Sequence, residues 1–349
     1  MKTFLTLLLF VCLLTSTTYA QSQQALRELN IVYFVPADME PFPKYEERLN
    51  RVLKEMQKFY NRELQRNHAN ADLRFTPHPN DQERINLLCV RGKLPASGYP
   101  YEGGGAIILP ELEAYYAAHP QNKKSEHTLV IMPSTSGNPL NPGGVPFYGY
   151  GKFCFALDYP DFDYRHYGEK TDMGRLFTKW YGGMAHELGH GLGLPHNHAT
   201  RSDEKSFGTA LMGAGNHSLG QSPTFLTAAS CAILESSEPC RRLIPRAFVP
   251  VNDIDISIQK ENGSVQLSGK LPPDCSVRKV IAAYDKDEWE SVNNNYDAEA
   301  FIVPVAKDGT FNFRFPMDEI HPGKTALAQV QVRLIHDNGV EELIRHTLP

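Results

Sequence analysis

The sequence predicts two structural units of different class, an N-terminal α/β layer followed by an all-β sandwich, and three observations carry that reading. From residue 27 to about residue 240, strand-like runs alternate with amphipathic helical patterns. The stretch "RRLIPRAFVPVND" then holds two prolines and loses helical periodicity, as a linker near residues 241 to 252 would. Beyond it only short strand patterns recur, about seven in roughly a hundred residues, which is sandwich spacing. The predicted boundaries are 1–20 for a leader, 21–247 for the α/β unit and 250–349 for an immunoglobulin-like β-sandwich.

The leader "MKTFLTLLLFVCLLTSTTYAQS" has one early lysine, an apolar run from Phe4 to Leu14 and a small residue, Ala20, after a polar stretch. That is the pattern of a secretory signal cleaved after Ala20, so a secreted or otherwise extracytoplasmic protein is expected, with periplasm and cell surface both open. The run is too short to span a membrane, and no other segment is long and apolar enough. Cys12 is a poor lipidation site, because "LFVC" puts large residues where a lipoprotein signal wants small ones. Cleavage would leave Cys89, Cys154, Cys231, Cys240 and Cys275, an odd set that cannot all pair internally. Export permits a disulfide, with Cys231 and Cys240 nearest in sequence; buried free thiols are the alternative.

Within the α/β unit, "ELNIVYFVP" reads as a strand stopped by Pro36. Tyr45, Leu49, Val52, Leu53, Met56, Phe59, Tyr60 and Leu64 then recur every three or four residues, the mark of a long helix packing one face on a sheet. Strands are expected near "ADLRFTP", "RINLLCV" and "HTLVIMPS", with a short helix near "PELEAYYAAH". "GNPLNPGG" is loop, and "YGYGKFCFALDY" suggests an exposed or edge strand suited to an extended peptide. A helix returns from Leu176 to Leu192, and another fits "PTFLTAASCAILES", with Pro223 in its first turn and Ser222 as cap. A net charge of −5 offers no basic footprint, which argues against nucleic acid as a partner.

The chemistry is concentrated in "AHELGHGLGLPHN", residues 185 to 197. On a helix His186 and His190 lie one turn apart and can reach one metal ion. Gly193 permits the positive φ that ends the helix and swings His196 back to the same point. Three neutral nitrogens with an open position favour a catalytic Zn²⁺ over a closed structural site. Glu187, rotated about 100° from its neighbour, faces a metal-held water and is the natural general base.

These residues, His186, Glu187, His190, Gly193 and His196, resemble the HExxHxxGxxH signature of the metzincin zinc endopeptidases. "TALMGAGN" supplies Met212 where that family carries its methionine turn. The resemblance covers roughly residues 27 to 245. It implies a metzincin-like α/β (α+β) catalytic domain with an edge strand for extended substrate, an active-site helix, a Met-turn and a final helix. Two features depart from it: Asn197 after the third histidine assigns no subfamily, and Ala214 stands where some members place a tyrosine.

The expected function is zinc-dependent hydrolysis of peptide bonds, with protein or peptide as substrate. Two other readings stand beside it. One is a zinc-retaining protein that binds a glycan or surface ligand through its sandwich; the other is hydrolysis of a non-peptide amide. His198 and His217 are further candidates for lining the cleft. Asp158, Asp161 and Asp163 in "DYPDFD" could hold a structural Ca²⁺, but the loop lacks the glycine and terminal glutamate of an EF-hand.

Overall fold

The computed structural model describes residues 27–251, 254–286, 296–323 and 328–348. The predicted leader and its cleavage point lie outside the described residues.

The α/β unit is built on a five-stranded sheet. Its strands are β1 (Asn30–Val35), β4 (Leu87–Arg91), β5 (Thr128–Pro133), β6 (Gly149–Tyr150) and β7 (Phe153–Asp158), after the small hairpin β2 (Pro77–His78) and β3 (Asp81–Ile85). Their order is β4-β1-β5-β7-β6, parallel except for β6 at the edge. Helices α1 (Tyr45–Arg66), α2 (Gly104–Ala118) and α3 (Asp172–Gly191) cover it. Neighbouring residues of β7 separate the two faces. A side chain at Gly191 of α3 would strike Cys154, and one at Gly105 of α2 would strike Phe155, so α3 and α2 pack on opposite sides. The Tyr60 hydroxyl donates to the carbonyl of Ala185 at 2.6 Å, which puts α1 beside α3.

The long amphipathic helix is α1, with Leu49, Val52, Leu53, Met56, Phe59, Tyr60 and Leu64 all buried as its periodicity requires. Several expectations need correction. "ADLRFTP" makes only isolated bridges at Ala71 and Phe75 before β2. The helix expected near Pro110 starts earlier, at Gly104, because Gly103 (φ 79°) turns the chain into it. "YGYGKFCFALDY" is an edge only at β6, since β7 lies inside the sheet and is almost wholly buried. Before the last helix, Thr224–Phe225 is a strand, β9, paired in parallel with β8 (Thr209–Ala210). That pairing delays α5 (Ala228–Leu234), and Thr227, not Ser222, caps it by accepting from the Ser230 amide.

The C-terminal unit has the seven expected strands: β10 (Ile256–Glu261), β11 (Ser264–Lys270), β12 (Val277–Lys286), β13 (Glu299–Val303), β14 (Thr310–Arg314), β15 (Ala328–His336) and β16 (Glu341–Leu348). They form two antiparallel sheets, β10-β11-β14 and β13-β12-β15-β16, around a core of their own that includes Val265, Leu267, Val280, Val330 and Val332. Asn262 and Gly263, both at positive φ, make the tight turn between β10 and β11. Ile281 and Ile335 instead join the core of the α/β unit, and Glu235 pairs with Arg278 and Lys279 across the junction.

Cys231 and Cys240 are unbonded, buried thiols, each pushed up to about 12 by burial, so the disulfide reading gives way to its alternative. The three aspartates do not gather at one point either. Asp158 is fully buried and takes a two-pronged contact from Arg48 at 2.8 and 2.9 Å, with Tyr33 donating at 3.0 Å. Asp163 caps the Arg165 amide, and Asp161 faces the Arg165 side chain at 3.7 Å.

Candidate active site

Helix α3 begins at Thr171, whose hydroxyl accepts from the Gly174 amide, and it ends two turns into the motif. The ending is specific. Gly193 takes φ 96° and donates to the His190 carbonyl, while Leu194 donates back to the Gly189 carbonyl, both at 2.9 Å, which is the Schellman pattern. The reversal lets the Leu194 carbonyl accept from Nδ1 of His190 at 2.8 Å and returns His196 to the helix face.

The outcome is a three-histidine cradle. The Nε2 atoms of His186, His190 and His196 lie 3.1, 2.9 and 3.1 Å apart. Nδ1 of His186 donates to the Leu211 carbonyl at 2.8 Å, and His190 is held in the same way, so both rings carry their proton on Nδ1. Their Nε2 lone pairs therefore point at one another. Such a cluster is repulsive unless a cation sits among them. An ion about 2.0–2.1 Å from each of three tetrahedral nitrogens would separate them by roughly 3.3 Å, close to what is found. Burial pushes His186 down to about 3 and lowers His190 as well, which keeps both neutral as ligands must be. The donor set fits a zinc-sized ion.

Glu187 leaves the same helix toward β6, where the Gly149 amide donates to its carboxylate. Burial nonetheless pushes its pKa up to about 7, where a carboxylate can both take and return a proton near neutrality. Met212 is buried beneath Gly189, and a side chain there would meet its sulfur at 2.5 Å. The methionine segment also supplies the Leu211 carbonyl that orients His186, and the Met212 carbonyl accepts from the Asn197 amide at 3.2 Å.

Sequence reasoning missed three contributors. Gly149 must be glycine because a Cβ there would lie 2.4 Å from Cβ of His190; a glycine inside a strand pattern was the available signal. Asn197 is buried, donating to Ser230 at 2.9 Å and accepting from Thr227 at 3.0 Å, so it ties the segment that carries His196 to α5. Tyr296, from the β domain, lies flat on His196 with ring centroids 3.7 Å apart. Nothing local in the sequence marks it.

His198 and His217 stay out of the cradle. His217 is exposed, and His198 turns toward the β domain, its ring 4.7 Å from that of His321. His198, Glu299 and His321 come close enough to suggest a second ion, but Lys286 already places its ammonium 2.6 Å from the buried Glu299 carboxylate. That is a charge-compensated junction between the two units.

The site is thus a sheet-backed helix with three converging imidazoles, joined to an antiparallel β domain. The chain is 43% identical to wild-type OgpA from Akkermansia muciniphila over 93% of both chains, with a TM-score of 0.86. It is 42% identical, again over 93% of both chains and with a TM-score of 0.86, to catalytically inactive OgpA in complex with an O-glycopeptide substrate, glycodrosocin. The chain belongs to the OgpA family. No family model and no curated protein matches it. Among the described residues no helix is long and apolar enough to cross a membrane.

Proposed function

We propose that this chain is a secreted, zinc-dependent endopeptidase of the metzincin type that cleaves O-glycosylated peptides. The observation that carries the reading is the convergence of three imidazole Nε2 atoms, each within 3.1 Å of the others, with Glu187 beside them. Kinship with OgpA, crystallised with an O-glycopeptide substrate, supports the substrate class. Exposed Tyr101 and Tyr150, the latter on the edge strand, supply flat apolar faces of the kind that sugar rings stack on.

His186, His190 and His196 would hold the ion, and a zinc ion bound there supplies Lewis acidity at neutral pH. The protein's own residues do the rest. An extended peptide aligns along β6, Glu187 takes a proton from the attacking water, and the same carboxyl returns it to the leaving amine. Gly149 keeps Glu187 aimed through its amide. The signal peptide at 1–20, the catalytic domain at 21–247 and the immunoglobulin-like character of 250–349 belong to the same proposal.

The test is incubation of the mature protein with matched glycosylated and bare peptides, read by mass spectrometry, beside a chelator control and Glu187→Ala. Cleavage of the glycopeptide, lost in both controls while Glu187→Ala keeps one zinc, is the expected result. Zinc binding with no cleavage of either peptide would reject peptidase action and leave the glycan-binding or non-peptide amide readings.

A further inference from the structure

The β domain reaches into the active site. Its strand β13 starts beside the segment that follows the third histidine, with the His198 amide donating to the Ala298 carbonyl at 2.7 Å. Two residues earlier, the Tyr296 ring stacks on His196 at 3.7 Å and 23°, and runs nearly parallel to His186 at 6.2 Å and 10°. Tyr296 as a whole remains 43% exposed, so its ring covers His196 on one side without being sealed from the cleft. Its phenol is also within electrostatic reach of the Glu187 carboxylate and of Tyr101.

This placement is held firmly. The Glu299 carboxylate, fully buried, accepts from Lys286 at 2.6 Å and from the His321 amide and ring at 3.1 and 2.9 Å. Lys286 also donates to the Asp297 carbonyl at 2.8 Å, next to Tyr296. His321 reaches back to Glu204 of α4 (Arg201–Phe207) at 3.0 Å, and Glu319 accepts from the Ser202 amide at 2.8 Å. The strand start that carries Tyr296 is thus bolted to the catalytic domain a few residues after His196.

We propose that Tyr296 is a catalytic residue supplied by the β domain, its phenolic O–H donating a hydrogen bond to the carbonyl oxygen of the scissile bond as negative charge builds there. The proposal rests on the hydrolytic reading above. In that reaction the water oxygen bonds to the carbonyl carbon, Glu187 takes one proton, the C–N bond breaks and the proton leaves on the amine. Tyr296 keeps its own proton throughout. Charge gathers on the carbonyl oxygen in this step, and a preorganised donor there lowers the barrier. The methionine turn offers no side-chain donor at Ala214, whereas the β domain brings a phenol to the ligand's face. On this view the β domain completes the active site instead of serving only as an attachment module.

The experiment compares the full chain with Tyr296→Phe, which keeps the ring, and Tyr296→Ala, which removes it. For Tyr296→Phe, kcat is expected to fall about 100-fold, with KM and zinc stoichiometry unchanged. Two binding measurements need no turnover. In a Glu187→Ala background, adding Tyr296→Phe leaves intact glycopeptide affinity unchanged. A phosphinic pseudopeptide, which mimics the charged tetrahedral centre, binds Tyr296→Phe at least tenfold more weakly than the parent. Wild-type kcat and wild-type phosphinate affinity in Tyr296→Phe would overturn the proposal, reducing the ring to packing on His196. So would a loss that appears only as zinc release or raised KM. If the parent protein cleaves nothing, the peptidase reading fails, and the phosphinate comparison still decides Tyr296.

Discussion

Nδ1 of His186 donates to the carbonyl oxygen of Leu211 at 2.8 Å, so the ring of the first motif histidine is aimed by the segment that carries Met212. Met212, buried under Gly189, fixes that segment against α3. Met212→Ala should lower stability by about 2–5 kcal/mol through the cavity it leaves, and should weaken zinc binding about tenfold by loosening the Leu211 carbonyl. Met212→Leu should preserve both. Thermal unfolding and chelator competition measure the two effects, and an unchanged zinc affinity in Met212→Ala would make the methionine plain core filler.

Gly149→Ala tests the close approach of β6 to α3. The added carbon would meet Cβ of His190 at 2.4 Å, an atom with no freedom to swing away, so the strand must move and take its amide from Glu187. A fall in kcat/KM of at least about tenfold, some 1.4 kcal/mol of barrier, is expected with little change in folding. Steady-state kinetics at saturating zinc decides it; wild-type activity would mean the strand is free to shift.

Stability should depend on pH through His127. This buried ring holds the Gly191 carbonyl at 2.7 Å, at the end of α3, and burial pushes it down to about 4 from an ordinary value of 6.5. The unfolded chain therefore takes up a proton below pH 6.5 that the folded protein refuses. Stability should be lost as pH falls from 6.5 to 4 and should level off below that. The whole loss from this one group is about 3 kcal/mol. Urea titrations across that window should give a shallower slope for His127→Gln; parallel slopes would assign the pH dependence elsewhere.

Arg48 and Asp158 form a buried pair, and their removal should be strongly asymmetric. Arg48→Met leaves the fully buried carboxylate uncompensated and should cost about 3–5 kcal/mol. Arg48→Met combined with Asp158→Leu should regain much of that. Equal unfolding midpoints for the single and double variants would contradict the account.

The linear sequence determined what depends on short-range geometry. A 3.6-residue repeat is enough to place His186 and His190 on one helix face, and only a glycine meets the φ of 96° that turns His196 back, so four residues of the candidate site are legible within one motif. Periodicity likewise marked α1 and the seven C-terminal strands, whose burial patterns repeat over short distances. It misplaced the start of α2 and the cap of α5, where a neighbouring strand or a left-handed glycine, not local propensity, sets the boundary. Only the tertiary structure decided that Gly149 backs His190, that Asn197 binds Thr227 and Ser230, and that Tyr296 crosses from the β domain to lie on His196. Those contacts join residues tens of positions apart, and they exist because two cores, each closing on its own apolar side chains, bring distant backbone segments together.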